Sequence, residues 1–336
     1  MQLPFSMTLV RITAEEDGFE QILDAESLDQ WSYTSAYFNG DAIKVEIFMR
    51  RDVWTFEEGI HMDSDEMQQF VGGIQFTLKG VRAGRFLSSE PEMEPMSLCH
   101  RLDQRKLSYF RKSARMMPIG CTAWMIDDPQ HCFLSAGHCK PSDDGVVQFN
   151  VPLSRHDGTV RHPHPDDQYA VDPRSIQTKE YYDDGDDWMY LGAFPNSNTK
   201  LRPFEAQKDW YRLYTNFTQS PAPESTLVIV GYGISRKQND GFRNQVQQMH
   251  QGPLLSIVEM DNGRKWTLRY QVDTMGGNSG SAIEDEATGL AVGIHTTAGC
   301  RVDIRGQPEG SNVGTFVGNR NLQEVLRYPT GVCRHA

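Results

Sequence analysis

Apolar and polar positions alternate on both sides of Asn39-Gly40 in "QWSYTSAYFNGDAIKVEIFMRR", a pattern that predicts a β-hairpin. Ile43, Val45, Ile47 and Met49 then share one face of its second strand. "GGIQFTLKGVRAG" repeats the alternation at Ile74, Phe76 and Leu78. From about residue 116 the pattern changes. Short apolar runs ("CTAWMI", "HCFLSAGHC", "WMYLGAF", "TLVIVGYGI", "KWTLRYQV" and "GLAVGIHTT") are separated by loops rich in Gly, Pro, Asp and Asn. Each run reads as a strand. No strand–helix repeat appears, so a barrel or sandwich is favoured over a parallel α/β sheet. In "NRNLQEVLRY", Leu322, Val325 and Leu326 fall at helical spacing and predict a short C-terminal helix.

The chain has 336 residues, more than one typical domain. No apolar run reaches the 18 or so residues of a membrane span, so no membrane partner is expected. The start, "MQLPFSMTLVRITAEEDGFE", lacks the basic residues and sustained apolar run of a signal peptide. On this reading the chain either begins after its export signal or is not exported by that route. The net charge of -12 is uneven, because residues 1–100 hold 18 Asp and Glu against 7 Lys and Arg. This break marks a boundary near residue 100, and the acidity argues against nucleic acid as a partner. "SSEPEMEPMS" reads as an acidic, proline-spaced linker, and "HRLDQRKLSYFRKSAR" as an exposed connector. The division is therefore 1–98, an acidic β-rich pro-region or accessory domain, 99–115, a linker, and 116–336, the main domain.

Six cysteines permit 15 disulfide pairings, and no CxxC pair suggests structural zinc. His162 and His164 stand near Asp166 and Asp167, but a solvated Pro-rich loop explains them better than a metal site. "YYDDGDD" lacks the ligand spacing of a calcium loop. No metal and no cofactor are expected. Asn216-Phe217-Thr218 is an isolated glycosylation sequon.

"DTMGGNSGSAI" bunches backbone freedom around Ser279. A serine hydroxyl needs an imidazole within reach, and the imidazole needs an acid to hold its tautomer. His138 in "FLSAGHC" is the best base; a Cys121–Cys139 disulfide would pin its loop. Asp187, directly before an apolar strand, is the best acid. The order His138, Asp187, Ser279 is the chymotrypsin order, and no helix follows the serine as it would in an α/β-hydrolase.

"IGCTAWMIDD…CFLSAGHC", "DTMGGNSGSAI" and "GLAVGIHTTAGC" together resemble the glutamyl endopeptidases, a branch of the chymotrypsin-like serine proteases. "LDQR" at residues 102–105 looks like the Asp-Asp-Arg near the mature start of those enzymes. The resemblance spans roughly residues 100–328. It implies an all-β, chymotrypsin-like double antiparallel barrel over the main domain. It assigns His138 as general base, Asp187 as its orienting acid, Ser279 as nucleophile, and the N–H groups of Gly277 and Ser279 as the oxyanion hole. It places His295, Thr296 and Thr274 at the substrate pocket, with His295 meeting a substrate Glu. Asp273, six residues before Ser279, sits where trypsin-like enzymes select Arg or Lys, so basic specificity is the second reading. Trypsin-like zymogens carry an aspartate directly before the serine; Asn278 here cannot form that ion pair. The expected partners are protein or peptide substrates, for a secreted monomer. The N-terminal region is expected to act as a pro-region, with Glu92-Met93 open to self-cleavage. The competing readings are an inert protease-fold binding protein and a viral or cytoplasmic processing protease.

Overall fold

A computed structural model of the chain describes residues 8–49, 97–179, 185–217, 221–235 and 240–334. At the N-terminus, β1 (Thr8–Ala14), β2 (Glu20–Leu23) and β3 (Ile43–Met49) form an antiparallel sheet in the order β2-β1-β3, with α1 (Ala25–Gln30) after β2. The expected hairpin about Asn39-Gly40 does not form, because β3 pairs with β1 and residues 34–38 carry no strand. Gly40 has the left-handed φ of 86°. Asn39, however, turns inward: its amide nitrogen donates to the His162 carbonyl at 3.0 Å and its oxygen accepts from the His162 N–H at 2.8 Å. Side-chain docking onto a distant loop thus replaces the local turn. Of the face formed by Ile43, Val45 and Ile47, Ile43 packs on a core while Val45 and Ile47 are exposed. Ile74, Phe76, Leu78 and Glu92 lie outside the described residues.

The stretch 99–115 is built into the fold and is not a linker. β4 (Lys106–Leu107) pairs with the second barrel, residues 113–115 belong to β5 (Ser113–Met117), and Arg105 and Arg115 are buried. The first sheet continues with β6 (Cys121–Met125), β7 (Phe133–Ser135), β8 (Val146–Gln148), β9 (Gln168–Ala170), β10 (Gln177–Lys179) and β11 (Trp188–Leu191). Its order is β10-β11-β7-β6-β5-β8-β9, all antiparallel. A bridge between Val171 and Ala193 draws its ends together into a barrel. Strands β5 to β9 and β11 are buried along their whole length; β6, β7 and β11 read as apolar runs for that reason, whereas β5, β8 and β9 carry the buried polar residues Ser113, Arg115, Gln148 and Gln168.

The second barrel comprises β13 (Thr226–Gly231), β14 (Gln248–Met260), β15 (Lys265–Tyr270), β16 (Ala282–Asp285), β17 (Leu290–Thr297) and β20 (Asn312–Phe316). It runs β17-β16-β13-β14-β15-β20, and β20 pairs back onto β17 to close it. β12 (Arg212–Leu213) lies parallel to β17, β18 (Cys300–Val302) and β19 (Pro308–Gly310) make a separate ribbon, and α2 (Pro203–Gln207) joins the barrels. The expected C-terminal helix is α3 (Arg320–Arg327). Asn319 caps it by accepting from the Leu322 N–H at 3.0 Å, and Leu322, Val325 and Leu326 face the core of the first barrel. The molecule is an all-β double antiparallel barrel of the chymotrypsin type with this terminal helix. All six cysteines are paired, as Cys99–Cys300, Cys121–Cys139 and Cys132–Cys333.

Candidate active site

His138 lies in a single 3-10 turn, Gly137–Cys139, at the end of β7. The turn is crowded: a Cβ on Gly137 would stand 2.1 Å from the Lys179 carbonyl oxygen. Cys121–Cys139 ties it to β6. β11 pairs with β7 so that Met189 opposes Ser135, which brings Asp187, just before β11, alongside the turn. Asp187 Oδ2 meets His138 Nδ1 at 2.6 Å, and Oδ1 accepts from the His138 backbone N–H at 3.1 Å. Asp187 is 3% exposed. Two contacts to one residue set both the position and the tilt of the imidazole. Thr315 on β20 fixes Asp187 in turn, accepting from its N–H at 3.2 Å and donating to its carbonyl at 2.9 Å. Neighbouring Asp186 serves structure, accepting from the Trp188 indole and the Asn319 amide, each at 2.9 Å.

Ser279 occupies the loop between β15 and β16, where Gly277 (φ 92°) and Gly280 (φ 86°) are left-handed. This loop is seated on the hairpin that carries His138. Thr122 of β6 donates its N–H to the Ser279 carbonyl and its hydroxyl to the Gly277 carbonyl, both at 2.9 Å. The Trp124 indole donates to the Gly280 carbonyl at 2.9 Å. A Cβ on Gly280 would lie 2.2 Å from Ser135 Oγ and 3.1 Å from the Ala136 nitrogen. Among the described residues, the N–H groups of Gly277 and Ser279 donate to no protein acceptor, and the Ser279 hydroxyl forms no hydrogen bond. The structure therefore joins His138 to Asp187 directly and brings the Ser279 loop against their hairpin.

On β17, His295 is buried beside the same loop: its carbonyl accepts from the Gly280 N–H at 2.7 Å and its N–H donates to the Ser281 carbonyl at 2.9 Å. Its Nδ1 meets the Tyr270 hydroxyl at 2.6 Å. Burial, then the nearby charge of His138, pushes the His295 imidazole down to about 3, so it is neutral at physiological pH. Thr274 Oγ1 accepts from the Asn312 amide at 3.0 Å, and Thr296 Oγ1 donates to the Val313 carbonyl at 3.3 Å. Asp273 points elsewhere. Its carboxylate accepts from the N–H groups of Cys99 at 2.7 Å and Gln104 at 3.0 Å, and meets His100 Nδ1 at 3.1 Å. Its charge is thus consumed by the segment that precedes β4.

Other candidates take structural places. His162 stacks on Tyr37 at 4.9 Å and contacts Gln148 and Arg115; burial, then the Arg115 charge, holds it well below the usual imidazole range. His164 accepts from the Asp166 N–H at 3.2 Å. His138, Cys121 and Cys139 lie close enough to suggest metal ligands, but both sulfurs are spent in their disulfide. Sequence reading missed Thr122, Trp124, Tyr270 and Thr315. A threonine or aromatic within a β-run signals only a strand, and no local pattern marks these four.

No protein-family model matches the chain, and no curated protein matches it. Among solved structures it is similar to a Glu endopeptidase (17% identity, covering 69% of this chain and 98% of that one, TM-score 0.46). It is also similar to a thermostable serine protease from an extremophilic microorganism (11% identity, 65% and 96%, TM-score 0.46) and to human heparin binding protein (14% identity, 68% and 98%, TM-score 0.45). The likeness concerns the fold alone, and the double-barrel description stands on strand order and register.

Proposed function

We propose that the chain is a serine endopeptidase that cuts after glutamate through an acyl-enzyme. The observation that carries this reading is the Asp187–His138 pair set against a loop whose Gly277 and Ser279 amides are unspent. His138 takes the Ser279 proton as the hydroxyl attacks the carbonyl, while Asp187 holds Nδ1–H and stabilises the imidazolium. The two amides receive the oxyanion, each worth roughly 100- to 1000-fold in rate. His138 then protonates the leaving amine, and water repeats the cycle on the ester.

Two further features support glutamate. Asp273 is turned into the segment before β4, so the acid that would attract Arg or Lys is occupied. The buried His295 ring, held at Nδ1 by the Tyr270 hydroxyl at 2.6 Å, supplies the polar group that would meet the substrate carboxylate. Thr274 and Thr296 complete this pocket. The natural partners are peptides or proteins met outside the cell, in keeping with three disulfides, by a monomer without cofactor. The N-terminal unit acts as an accessory or pro-region. Digestion of a peptide library, with fluorophosphonate labelling alongside, tests this. Cuts after Glu and one label, both lost in Ser279→Ala, are expected. A folded chain that neither labels nor cuts sinks the reading, and cuts only after Arg or Lys would move the specificity to its alternative.

A further inference from the structure

The residue before the nucleophile needs a partner, and here that partner comes from a distant part of the chain. Asn278 is buried, and its Oδ1 accepts from the Met275 N–H at 3.0 Å and from Arg105 Nη1 at 3.2 Å. Arg105 is 3% exposed. Asp103 grips its other edge, Nε to Oδ1 at 3.0 Å and Nη2 to Oδ2 at 2.8 Å, so the buried cation is paired in fork geometry. Burial opposes ionisation of Asp103, but the hydrogen bonds and charge of Arg105 outweigh it and hold the carboxyl below its ordinary range. Nη2 also donates to the Ile234 carbonyl at 2.9 Å, and the Ile234 N–H donates to the Gly276 carbonyl at 2.8 Å. One guanidinium therefore joins the loop after β13 to the 275–280 loop. Room for it exists because residue 233 is glycine: a Cβ there would stand 2.2 Å from Asn278 Oδ1 and 2.3 Å from Arg105 Nη1.

We propose that Arg105, oriented by Asp103, is a positioning residue that holds the 275–280 loop in its oxyanion-binding shape from within the chain, so that the loop needs no newly cut amino terminus to form. The inference rests on the hydrolase reading for its catalytic meaning, but the clamp itself is a property of the fold. A neighbouring anchor reinforces it: Asp273 binds the Cys99 and Gln104 amides, and Cys99–Cys300 ties the segment down.

Two measurements on the full chain separate the ideas. Hydrogen exchange reads the clamp without catalysis. In Arg105→Ala, the Ile234 and Asn278 amides should exchange at least tenfold faster while β13 and β15 stay protected; unchanged exchange at both would overturn the proposal. Steady-state cleavage of a Glu peptide reads its consequence. kcat should fall roughly 100- to 1000-fold, as when an oxyanion donor is lost, with KM within about threefold. A folded variant with wild-type kcat also overturns it. If Arg105→Ala does not fold, Arg105→Lys carries the same comparison: an ammonium cannot span Asp103, Ile234 and Asn278 together, so a kcat loss of about tenfold is expected, and wild-type kcat and exchange in this variant would count against the clamp. A wild-type chain that cuts nothing, yet shows the exchange change in the variant, keeps the clamp and removes the hydrolase reading.

Discussion

At the scale of single residues, two kinds of position control the site. Gly280 is the first kind. It is left-handed and in contact with Ser135 and Ala136, so a methyl group has neither the backbone conformation nor the space. Gly280→Ala is expected to shift Ser279 off the His138 hairpin and cut kcat at least 100-fold, while circular dichroism still reports the β fold; near-normal kcat would remove this account. His295 is the second kind, a buried neutral base. Its folded value of about 3 lies below the usual 6.5, so between those values the unfolded chain binds more protons than the folded one. Stability therefore falls as pH drops through that window, by up to about 1.4 kcal/mol per pH unit for such a group. Urea midpoints from pH 7 to 4 should fall less steeply for His295→Gln than for wild type, and parallel curves would exclude His295 as the source. Both kinds differ in how well the sequence shows them. The glycines around Ser279 were visible because such freedom is rare beside an apolar run. Thr122 and Thr315 were hidden because their bonds exist only once the two barrels meet.

At the scale of elements, the His138 turn and its neighbours decide geometry. Cys121–Cys139 closes a sequence separation of 18 residues, for which chain entropy predicts about 3 kcal/mol. The double variant Cys121→Ser, Cys139→Ser should lose about that much in denaturant unfolding, with kcat falling more than KM rises because the turn carrying His138 is freed. Thr315→Val tests the other support. It removes both bonds to Asp187 with little change in volume, and about a tenfold loss of kcat with a small change in melting temperature is expected. An unaltered kcat would make Asp187 self-positioning. β6, β7 and β11 were readable because burial on both faces writes them as apolar runs, whereas β5, β8 and β9, equally buried, were not, because Arg115, Gln148 and Gln168 interrupt them. The hairpin at Asn39-Gly40 misled because turn chemistry is local, whereas Asn39 is claimed by His162 in the first barrel. The segment 97–108 misled for a related reason: its charges suggest solvent, yet Arg105 is neutralised by Asp103 inside the fold.

At the scale of the whole molecule, the N-terminal sheet is docked on the first barrel. Ile12, Leu23, Trp31 and Ala36 pack with Met117, Val146, Ala170 and Phe194 in one core. Trp31→Ala should lower stability by about 3–5 kcal/mol, the usual cost of removing a buried tryptophan, and leave kcat per folded molecule unaltered. A change in kcat at full folding would instead tie this sheet to the His138–Ser279 site. Cys99–Cys300, finally, makes the molecule tolerant of ageing. A stray cut at exposed Leu102 or Tyr109 severs the polypeptide but not the assembly, because the upstream fragment remains covalently attached through residue 300. Such wear would pass unseen on a gel run without thiol, and two bands would appear as soon as reductant is added.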